Sequence, residues 1–370
     1  MKIAQIIARV NKGGTAVWME ELVLGLRSQA HEVNLYAGQV QTFEEEDNSF
    51  TTLRGIRITG LGRSISVKDD YLSFSKLRKI LIKEKFQIIN THTAKAGVIG
   101  RLAAMSLGKK RPAIVHTFHG HLLYGYFSKP ISLVFTLIER FLASKSDVII
   151  AAGNLVKNEL ISAGIGIEEK YVVARPGINL NQLENREETR VKLGISNESI
   201  VVGWLGRLAQ IKRPDRLIAV AKELSDLVFV MGGDGELFEE LKLEIPSNVI
   251  LLGWTKPELI WSISDIAFLT SENEAQPISM IEAGLAGLPA VAENVGSVSE
   301  VIEDEITGHL VNNHNERVQA IRSLSGNPEQ RIEMGNAAKN YCVNKFGKEQ
   351  FLEAHRKAYE LALKRRNRTA

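Results

Sequence analysis

Two glutamates, Glu274 and Glu282, stand eight positions apart in residues 271–284, where a strand-like segment gives way to a helix-like one. The apolar run 266–270 is typical of a buried parallel strand, and Pro277 suits a helix start, where no backbone N–H is needed. The pattern predicts Glu274 at the carboxyl end of a strand and Glu282 on the next helix. Ligands bind at that edge of open α/β sheets, and two carboxylates there suggest acid–base chemistry. A solvated loop carboxylate and an exposed helix residue explain the pattern equally well.

Two cations form a second candidate set. Gly206, Arg207 and Lys212 follow the strand-like run 200–205. A guanidinium fork and a lysine point charge five residues apart can bind a diphosphate from two directions. Two surface cations are the alternative. Gly233 lies in a second glycine turn after the next strand, where the backbone either approaches a ligand or turns tightly.

A glycine pair connects the first strand to the first helix. Gly13 and Gly14 allow close approach of a ligand to the backbone, and the helix that follows offers its N-terminus to a phosphate. The segment has neither the Lys-Ser/Thr of a Walker loop nor the third glycine of a dinucleotide fingerprint. Taken alone, this pair is explained by a tight turn.

Three histidines, His116, His119 and His121, end the fifth predicted strand. On a strand, His116 points away from His119, and no cysteine or carboxylate completes a ligand set, so the spacing argues against a metal site. His119 is better explained as a hydrogen-bonding residue in a cleft at the carboxyl edge of the sheet. A purely structural histidine explains it equally well.

Alternating strand-like and helical segments must position these residues. The chain has 370 residues, which favours two domains, and the alternation predicts an α/β protein with parallel sheets covered on both faces. A turn at 175–179, followed by the polar stretch 181–190, marks the junction. The predicted strands are 2–8, 32–37, 55–59, 87–91, 113–117, 148–151, 171–174, 200–205, 227–231, 249–252, 266–270, 289–292 and 309–311. The predicted helices include 15–29, 71–85, 96–107, 132–144, 155–163 and an amphipathic last helix, 348–365.

Composition and charge exclude several classes of protein. No apolar run approaches the roughly 20 residues of a spanning helix, and the short apolar start does not read as a secretory signal. A single cysteine, Cys342, cannot form an internal disulfide, which suits a reducing cytoplasm. Residues 1–180 hold 24 Lys and Arg against 15 Asp and Glu, whereas the remainder holds 22 against 28. The basic clusters of the first half fit anionic lipid or a solubilising face, and they lack the interleaved aromatics of a nucleic-acid reader.

Together these motifs resemble the family 4 retaining glycosyltransferases of the GT-B fold, and the resemblance covers nearly the whole chain. It rests on Gly13-Gly14, His119-Gly120, Gly206-Arg207-Leu208 with Lys212, Gly233-Asp234-Gly235, and Glu274 with Glu282. The resemblance implies two Rossmann-like doubly wound domains that face a central cleft. The expected bounds are 1–178 for an acceptor domain, 179–346 for a nucleotide-sugar domain, and 347–370 for a C-terminal helix that packs back on the first domain.

The same resemblance implies a role for each site residue. Arg207 and Lys212 would neutralise the donor diphosphate, which is also the leaving group, without a metal ion. Glu282 would bind ribose hydroxyls and Glu274 hydroxyls of the transferred sugar, while His119 would face the sugar and the acceptor. The positions expected to approach the nucleotide-sugar are Gly13, Gly14, Gly206, Gly233, Ala275, Gln276, Pro277 and Ile278.

Some positions depart from the family pattern. Ala275 stands where glycine is commoner, Gln276 where a larger apolar residue is frequent, Arg213 where glycine often follows the lysine, and Ser297 where a second glycine is usual. Ala275 adds a methyl group beside the donor sugar. Donor choice is therefore the property that these departures are expected to change.

The resulting expectation is a retaining, metal-independent transferase of the hexosyl or N-acetylhexosaminyl type that needs no cofactor. It would move a sugar from a UDP-linked donor to a lipid-linked glycan for cell-surface polysaccharide. We expect it in the cytoplasm or at the inner face of the cytoplasmic membrane, where the basic first domain and residues 122–127 would contact anionic lipid. The alternatives are a soluble small-molecule glycosyltransferase, another GT-B sugar-nucleotide enzyme, and a non-catalytic partner in a polysaccharide assembly complex.

Overall fold

A computed structural model describes residues 1–41, 44–62, 66–120 and 129–369. The chain divides into two compact units, of which the first comprises Met1–Gly177 with Lys348–Ala370 and the second Ile178–Gly347. Residues 122–127 and His121, both named in the sequence-based expectations, lie outside the described residues. No helix in the described ranges is long and apolar enough to cross a membrane.

The first unit is a parallel sheet of seven strands in the order β3-β2-β1-β4-β5-β6-β7. Its strands are β1 (Lys2–Ile7), β2 (Glu32–Ala37), β3 (Ile56–Arg57), β4 (Ile88–His92), β5 (Ala113–Phe118), β6 (Val148–Ala151) and β7 (Tyr171–Val173). Its helices are α1 (Gly14–Ser28), α2 (Ser49–Thr52), α3 (Val67–Glu84), α4 (Ala94–Met105), α5 (Lys129–Lys145), α6 (Asn154–Ser162) and α14 (Lys348–Thr369). The strand order reverses between β1 and β4. Ile3 of β1 pairs with Val33 of β2 on one side and with Ile88 of β4 on the other.

The last helix belongs to the core of the first unit. Phe351, Ala358, Tyr359 and Ala362 of α14 are buried among residues of the sheet and of α1. This burial covers the apolar stripe that the sequence predicted for this helix.

The second unit repeats the architecture with six parallel strands in the order β10-β9-β8-β11-β12-β13. These strands are β8 (Val201–Leu205), β9 (Val228–Gly232), β10 (Val249–Gly253), β11 (Ile266–Leu269), β12 (Ala290–Glu293) and β13 (Gly308–Val311). The helices are α7 (Arg186–Lys192), α8 (Pro214–Glu223), α9 (Phe238–Glu244), α10 (Pro257–Ile263), α11 (Ile278–Leu285), α12 (His314–Gly326) and α13 (Pro328–Phe346). Ligands of such sheets bind at the carboxyl ends of the strands on either side of the reversal, here β8 and β11.

Three details of the sequence-based prediction were wrong. The third strand was expected at 55–59 but is only Ile56–Arg57, an edge strand that pairs with β2 alone. The third helix begins four residues earlier than expected, at Val67, because the Ser66 side chain accepts a hydrogen bond from the Asp69 N–H and caps it. Helix α7 was not predicted: it begins at Arg186, within the polar stretch expected to mark the junction, and Asn185 caps it in the same way.

Candidate active site

The turns after β8 and β9 are packed against each other so closely that only glycine fits. The Gly206 N–H donates to the Gly232 carbonyl at 3.0 Å. Gly233 has φ +142°, and a β-carbon there would lie 1.8 Å from the Gly206 carbonyl oxygen. Gly233, which was predicted to approach a ligand, is thus required first by this contact between the two turns.

Arg207 projects from this turn into solvent. Its side chain is 68% exposed and forms an ion pair with Glu236 at 3.0 Å, a partner that the sequence did not indicate. Exposed pairs of this kind contribute little to stability, so the guanidinium can exchange Glu236 for another anion. The structure therefore places Arg207 at the predicted strand end.

Lys212 is held in place through its main-chain carbonyl by two hydrogen bonds in series. The Trp204 indole N–H donates to Thr270 Oγ1 at 2.9 Å, and the Thr270 hydroxyl donates to the Lys212 carbonyl at 2.8 Å. Because Trp204 lies on β8 and Thr270 follows β11, the two central strands together fix the loop that carries the lysine.

Lys212 and Glu274 form an ion pair at the carboxyl end of β11. The Ser271 hydroxyl also donates to Glu274, at 2.6 Å. The Glu274 side chain is 8% exposed and that of Lys212 is 28% exposed. The cation is therefore the more accessible member, and the structure brings together two residues that the sequence had assigned to different substrate groups.

The loop that carries Glu274 is fixed from two sides. The Ser297 N–H donates to the Glu274 carbonyl at 2.9 Å, and a β-carbon on Gly296, at φ +51°, would lie 2.0 Å from that oxygen. The Arg216 guanidinium donates to the Thr270 carbonyl at 3.1 Å and to Glu272 at 3.0 Å. Arg216 was missed by sequence reasoning, although its place on the first turn of α8, just after Lys212, was a signal.

Arg213 stands where the family pattern favours glycine, and its conformation shows why. Its φ of 48° and ψ of 54° are left-handed, a region that costs an ordinary residue about 1–2 kcal/mol. Its side chain forms ion pairs with Asp215 at 2.8 Å and Glu272 at 2.9 Å. These contacts hold the arginine in a backbone conformation that glycine would adopt without strain.

The segment before and within α11 carries the remaining predicted residues. Pro277 immediately precedes the helix, and Ala275, Gln276 and Ile278 are partly buried. The Gln276 amide has no hydrogen-bond partner for its oxygen or nitrogen within the part of the chain that the structure describes. An amide in this condition is suited to recognise a polar group of a ligand.

Glu282 is an unusual carboxyl group because burial raises its pKa to about 8. The neighbouring carboxylate of Glu258 adds to the rise, and the Trp261 indole opposes it. At neutral pH the group in the free protein is therefore mostly protonated, and a ligand that donates hydrogen bonds to it would favour the ionised form.

The first unit brings a histidine pair to the carboxyl edge of its sheet. His119 Nε2 lies 2.9 Å from His92 Nδ1, and the Trp18 ring meets the His119 ring edge-on at 4.8 Å. Burial, with a smaller contribution from His355, lowers the pKa of His119 to about 3, so its ring is neutral. His92 was missed because the predicted strand ended one residue before it.

The other residues predicted in this unit, Gly13, Gly14 and His116, have different surroundings. Gly13 has φ +138° with open space where a β-carbon would stand, and Gly14 begins α1. His116 faces away from His119: its Nδ1 lies 2.8 Å from the Thr91 hydroxyl, within the sheet. Across the described ranges, no three His, Cys, Asp or Glu side chains are grouped as metal ligands would be.

Two protein-family models match this chain. Residues 12–182 match Glycosyltransferase Family 4, and residues 185–341 match Glycosyl transferases group 1. Over 315 residues, the chain is 30% identical to the UDP-Gal:alpha-D-GlcNAc-diphosphoundecaprenol alpha-1,3-galactosyltransferase of Escherichia coli, covering 80% of each chain. The chain belongs to glycosyltransferase family 4. The matched regions of this glycosyltransferase contain every candidate residue described above.

Two further comparisons show a relative of nearly the same length and a shared fold. The glycosyltransferase is 28% identical to an uncharacterized 41.2 kDa protein in the cps region of Klebsiella pneumoniae, over 96% of this chain and 98% of that one. The crystal structure of Alr3699/HepE from Anabaena in complex with UDP superposes with a TM-score of 0.83 at 19% identity, covering 97% of this chain and 100% of that chain. The predicted GT-B fold of two Rossmann-like domains is thus confirmed.

Proposed function

We propose that this glycosyltransferase transfers a sugar from a UDP-sugar to a hydroxyl of a lipid-linked glycan in cell-surface polysaccharide synthesis, with retention of anomeric configuration. The observation that carries the proposal is the cluster of Lys212, Glu274 and Ser271 at the ends of β8 and β11, which is followed in the chain by α11 with Glu282. The Escherichia coli relative, named for a UDP-linked donor and a diphosphoundecaprenol-linked acceptor, supports the two substrate classes.

In the proposed complex, the donor replaces contacts that the free protein makes with itself. Lys212 exchanges Glu274 for the diphosphate, and Arg207 exchanges Glu236 for it. Glu274, still hydrogen-bonded to Ser271, then accepts hydrogen bonds from hydroxyls of the transferred sugar, and Glu282 accepts them from the ribose. Ala275, Gln276, Pro277 and Ile278 approach the sugar and phosphates, where the methyl group of Ala275 narrows the choice of sugar.

The proposed chemistry is front-face substitution. The bond between the anomeric carbon and the diphosphate oxygen breaks, and the acceptor oxygen bonds to the same face of that carbon. The acceptor proton passes to the departing diphosphate. Arg207, Lys212 and the N-terminus of α11 stabilise the developing charge, a task that a divalent ion performs in other enzymes. Glu274 is a positioning residue here, so a glycosyl-Glu274 adduct found by mass spectrometry would contradict this mechanism.

Helix α5 supports a membrane-bound acceptor. One side of this helix exposes an apolar stripe, with side chains 39–61% exposed, formed by Leu133, Val134, Leu137, Ile138 and Phe141. The helix ends beside a surface pocket with five basic residues in its lining, Arg111, Lys145, Lys170, Arg365 and Arg368. An apolar stripe beside cations fits the interface of an anionic bilayer. The proposed location is therefore peripheral, on the inner face of the cytoplasmic membrane.

Liposome flotation tests the membrane part of the proposal. We expect the protein to float with vesicles that contain anionic lipid, and Leu137→Glu to weaken flotation. The matched control is Leu243→Glu, which adds the same charge at an 88% exposed leucine of α9 in the second unit. Absence of flotation with and without anionic lipid would remove the membrane claim.

A donor panel tests the catalytic part. The UDP-sugar that most raises the melting temperature is incubated with a polyprenyl diphosphate-linked sugar, in the presence of a chelator, and the lipid product is analysed by mass spectrometry. We expect one added sugar. Transfer only to small soluble acceptors would favour the soluble glycosyltransferase alternative, and absence of both transfer and donor hydrolysis would favour a non-catalytic partner.

A further inference from the structure

A line of hydrogen-bonded side chains runs from His119 into the core of the first unit. His119 Nε2 lies 2.9 Å from His92 Nδ1, and His92 Nε2 lies 2.8 Å from Gln5 Oε1. The Gln5 amide nitrogen donates to Tyr359 Oη at 2.9 Å. Gln5, His92 and Tyr359 are fully buried, whereas His119 is partly exposed at the carboxyl edge of the sheet.

The far end of this line is fixed by further contacts. The Asn90 amide lies 3.0 Å from Tyr359 Oη, and the Thr117 hydroxyl donates to Asn90 Oδ1 at 3.0 Å. Tyr359 lies on α14. The last helix of the chain therefore holds one end of the line, and His119, directly after β5, forms the other. Buried polar groups are costly unless all of them are paired, and a core can be packed without them. Packing alone therefore does not explain this array.

The hydrogen-bond partners assign the tautomers of both histidines. Since the Gln5 nitrogen faces Tyr359, its oxygen faces His92 and can only accept, so His92 Nε2 carries the proton. Burial lowers the pKa of His92 well below its ordinary value, so this ring is neutral and its Nδ1 is an acceptor. His119 must then donate from Nε2, which leaves His119 Nδ1 with a lone pair.

Because the Gln5 amide stands between His92 and Tyr359, no proton can be passed along the line. The array therefore fixes the direction of each hydrogen bond in the line and does not serve as a proton relay. The edge-on contact with Trp18, which itself packs edge-on against Phe351 at 5.0 Å, limits rotation of the His119 ring.

We propose that His92 is a positioning residue that fixes His119 as the Nε2–H tautomer, so that His119 Nδ1 accepts a hydrogen bond from a substrate hydroxyl. The contribution to sugar transfer rests on the proposed function, whereas the tautomer is a property of the free protein. Gln5 and Tyr359 act through His92 and make no contact with substrate in this proposal.

Nitrogen-15 NMR of the histidine rings in the full chain tests the tautomer directly. We expect His119 in the Nε2–H form throughout pH 6–8. Gln5→Met removes the acceptor and should give a mixture of tautomers, whereas Gln5→Glu keeps an oxygen there and should preserve the form. His116 is the internal control, because its Nδ1 pairs with the Thr91 hydroxyl independently of the line, and its tautomer should not change in any variant.

Kinetics test the consequence for transfer. Gln5→Met and His92→Phe should each lower kcat/KM about tenfold, the effect of one net hydrogen bond, while the donor-induced thermal shift persists. Gln5→Glu should keep most of the rate. An Nδ1–H tautomer in the wild-type protein, or a rate in Gln5→Met equal to that of wild type, would overturn the proposal. Absence of product from wild-type protein with the expected tautomer would instead reject the proposed function and the hydroxyl contact, leaving the tautomer assignment supported.

Discussion

The raised pKa of Glu282 gives a pH dependence that can be calculated for donor binding. The carboxyl group titrates at about 8 in the free protein. Ribose hydroxyls donate hydrogen bonds and so favour the ionised form, which means that binding the donor releases a proton. The ionised fraction rises from about 1% at pH 6 to about one half at pH 8, so the apparent Kd should fall roughly 50-fold over this range.

Isothermal titration calorimetry measures this directly. The ligand is the best-binding UDP-sugar, because its diphosphate has no group that titrates between pH 6 and 8. Glu282→Gln should bind more weakly at pH 8 and lose the pH dependence. Glu258→Gln removes a neighbouring negative charge that raises the pKa, so it should move the midpoint to lower pH.

The stability of the free protein should depend on pH with the opposite sign. Between the ordinary pKa of 4.5 and about 8, the folded protein holds a proton on Glu282 that the unfolded chain has released. Stability therefore falls as pH rises through this window, and Glu282→Gln should remove that part of the slope. A pH-independent Kd in wild-type protein, or the same slope in Glu282→Gln, would refute the assigned role of this carboxyl group.

Three further substitutions, two of them paired with a control substitution, test the site and the packing of the fold. Lys212→Ala should lower kcat by about 10²–10³-fold in a transfer assay, and near-normal turnover would contradict its leaving-group role. Arg101→Ala breaks a fully buried ion pair with Glu139 and should cost about 3–5 kcal/mol in denaturant unfolding, whereas Arg322→Ala, which breaks an exposed pair, should cost less than about 1 kcal/mol. Gly233→Ala should lower the melting temperature and weaken donor binding because its β-carbon has no space, while Gly326→Ala, with no atom within 4 Å, should do neither.

The sequence was informative wherever a local pattern decided the structure. Apolar runs bounded by turn residues predicted β8 and β11 within one residue at each end, and their alternation with helices predicted the fold. Glu274 was predicted as a site residue because the loop that follows a buried strand in such a sheet lies at the carboxyl edge, where ligands bind. The same reasoning located Arg207 and Lys212 after β8.

The sequence could not predict pairings between distant segments. Glu274 and Lys212 are 62 positions apart, and Gln5 and Tyr359 are 354 apart, so no periodicity indicates that either pair makes contact. The carboxyl pKa of Glu282 depends on how α10 and α11 bury it, which the spacing of two glutamates does not disclose. His92 was missed because the predicted strand ended one residue before it, and the role of Arg216 depends on partners in the loop after β11.

Product NMR after transfer from the best-binding UDP-sugar to a polyprenyl diphosphate-linked sugar tests the central claim most directly. The front-face mechanism predicts a new glycosidic bond with the anomeric configuration of the donor. It also predicts that Lys212→Ala, under identical conditions, gives little product. A bond of inverted configuration would contradict the front-face mechanism, and absence of any product with every nucleotide-sugar tested would contradict the proposed transfer itself.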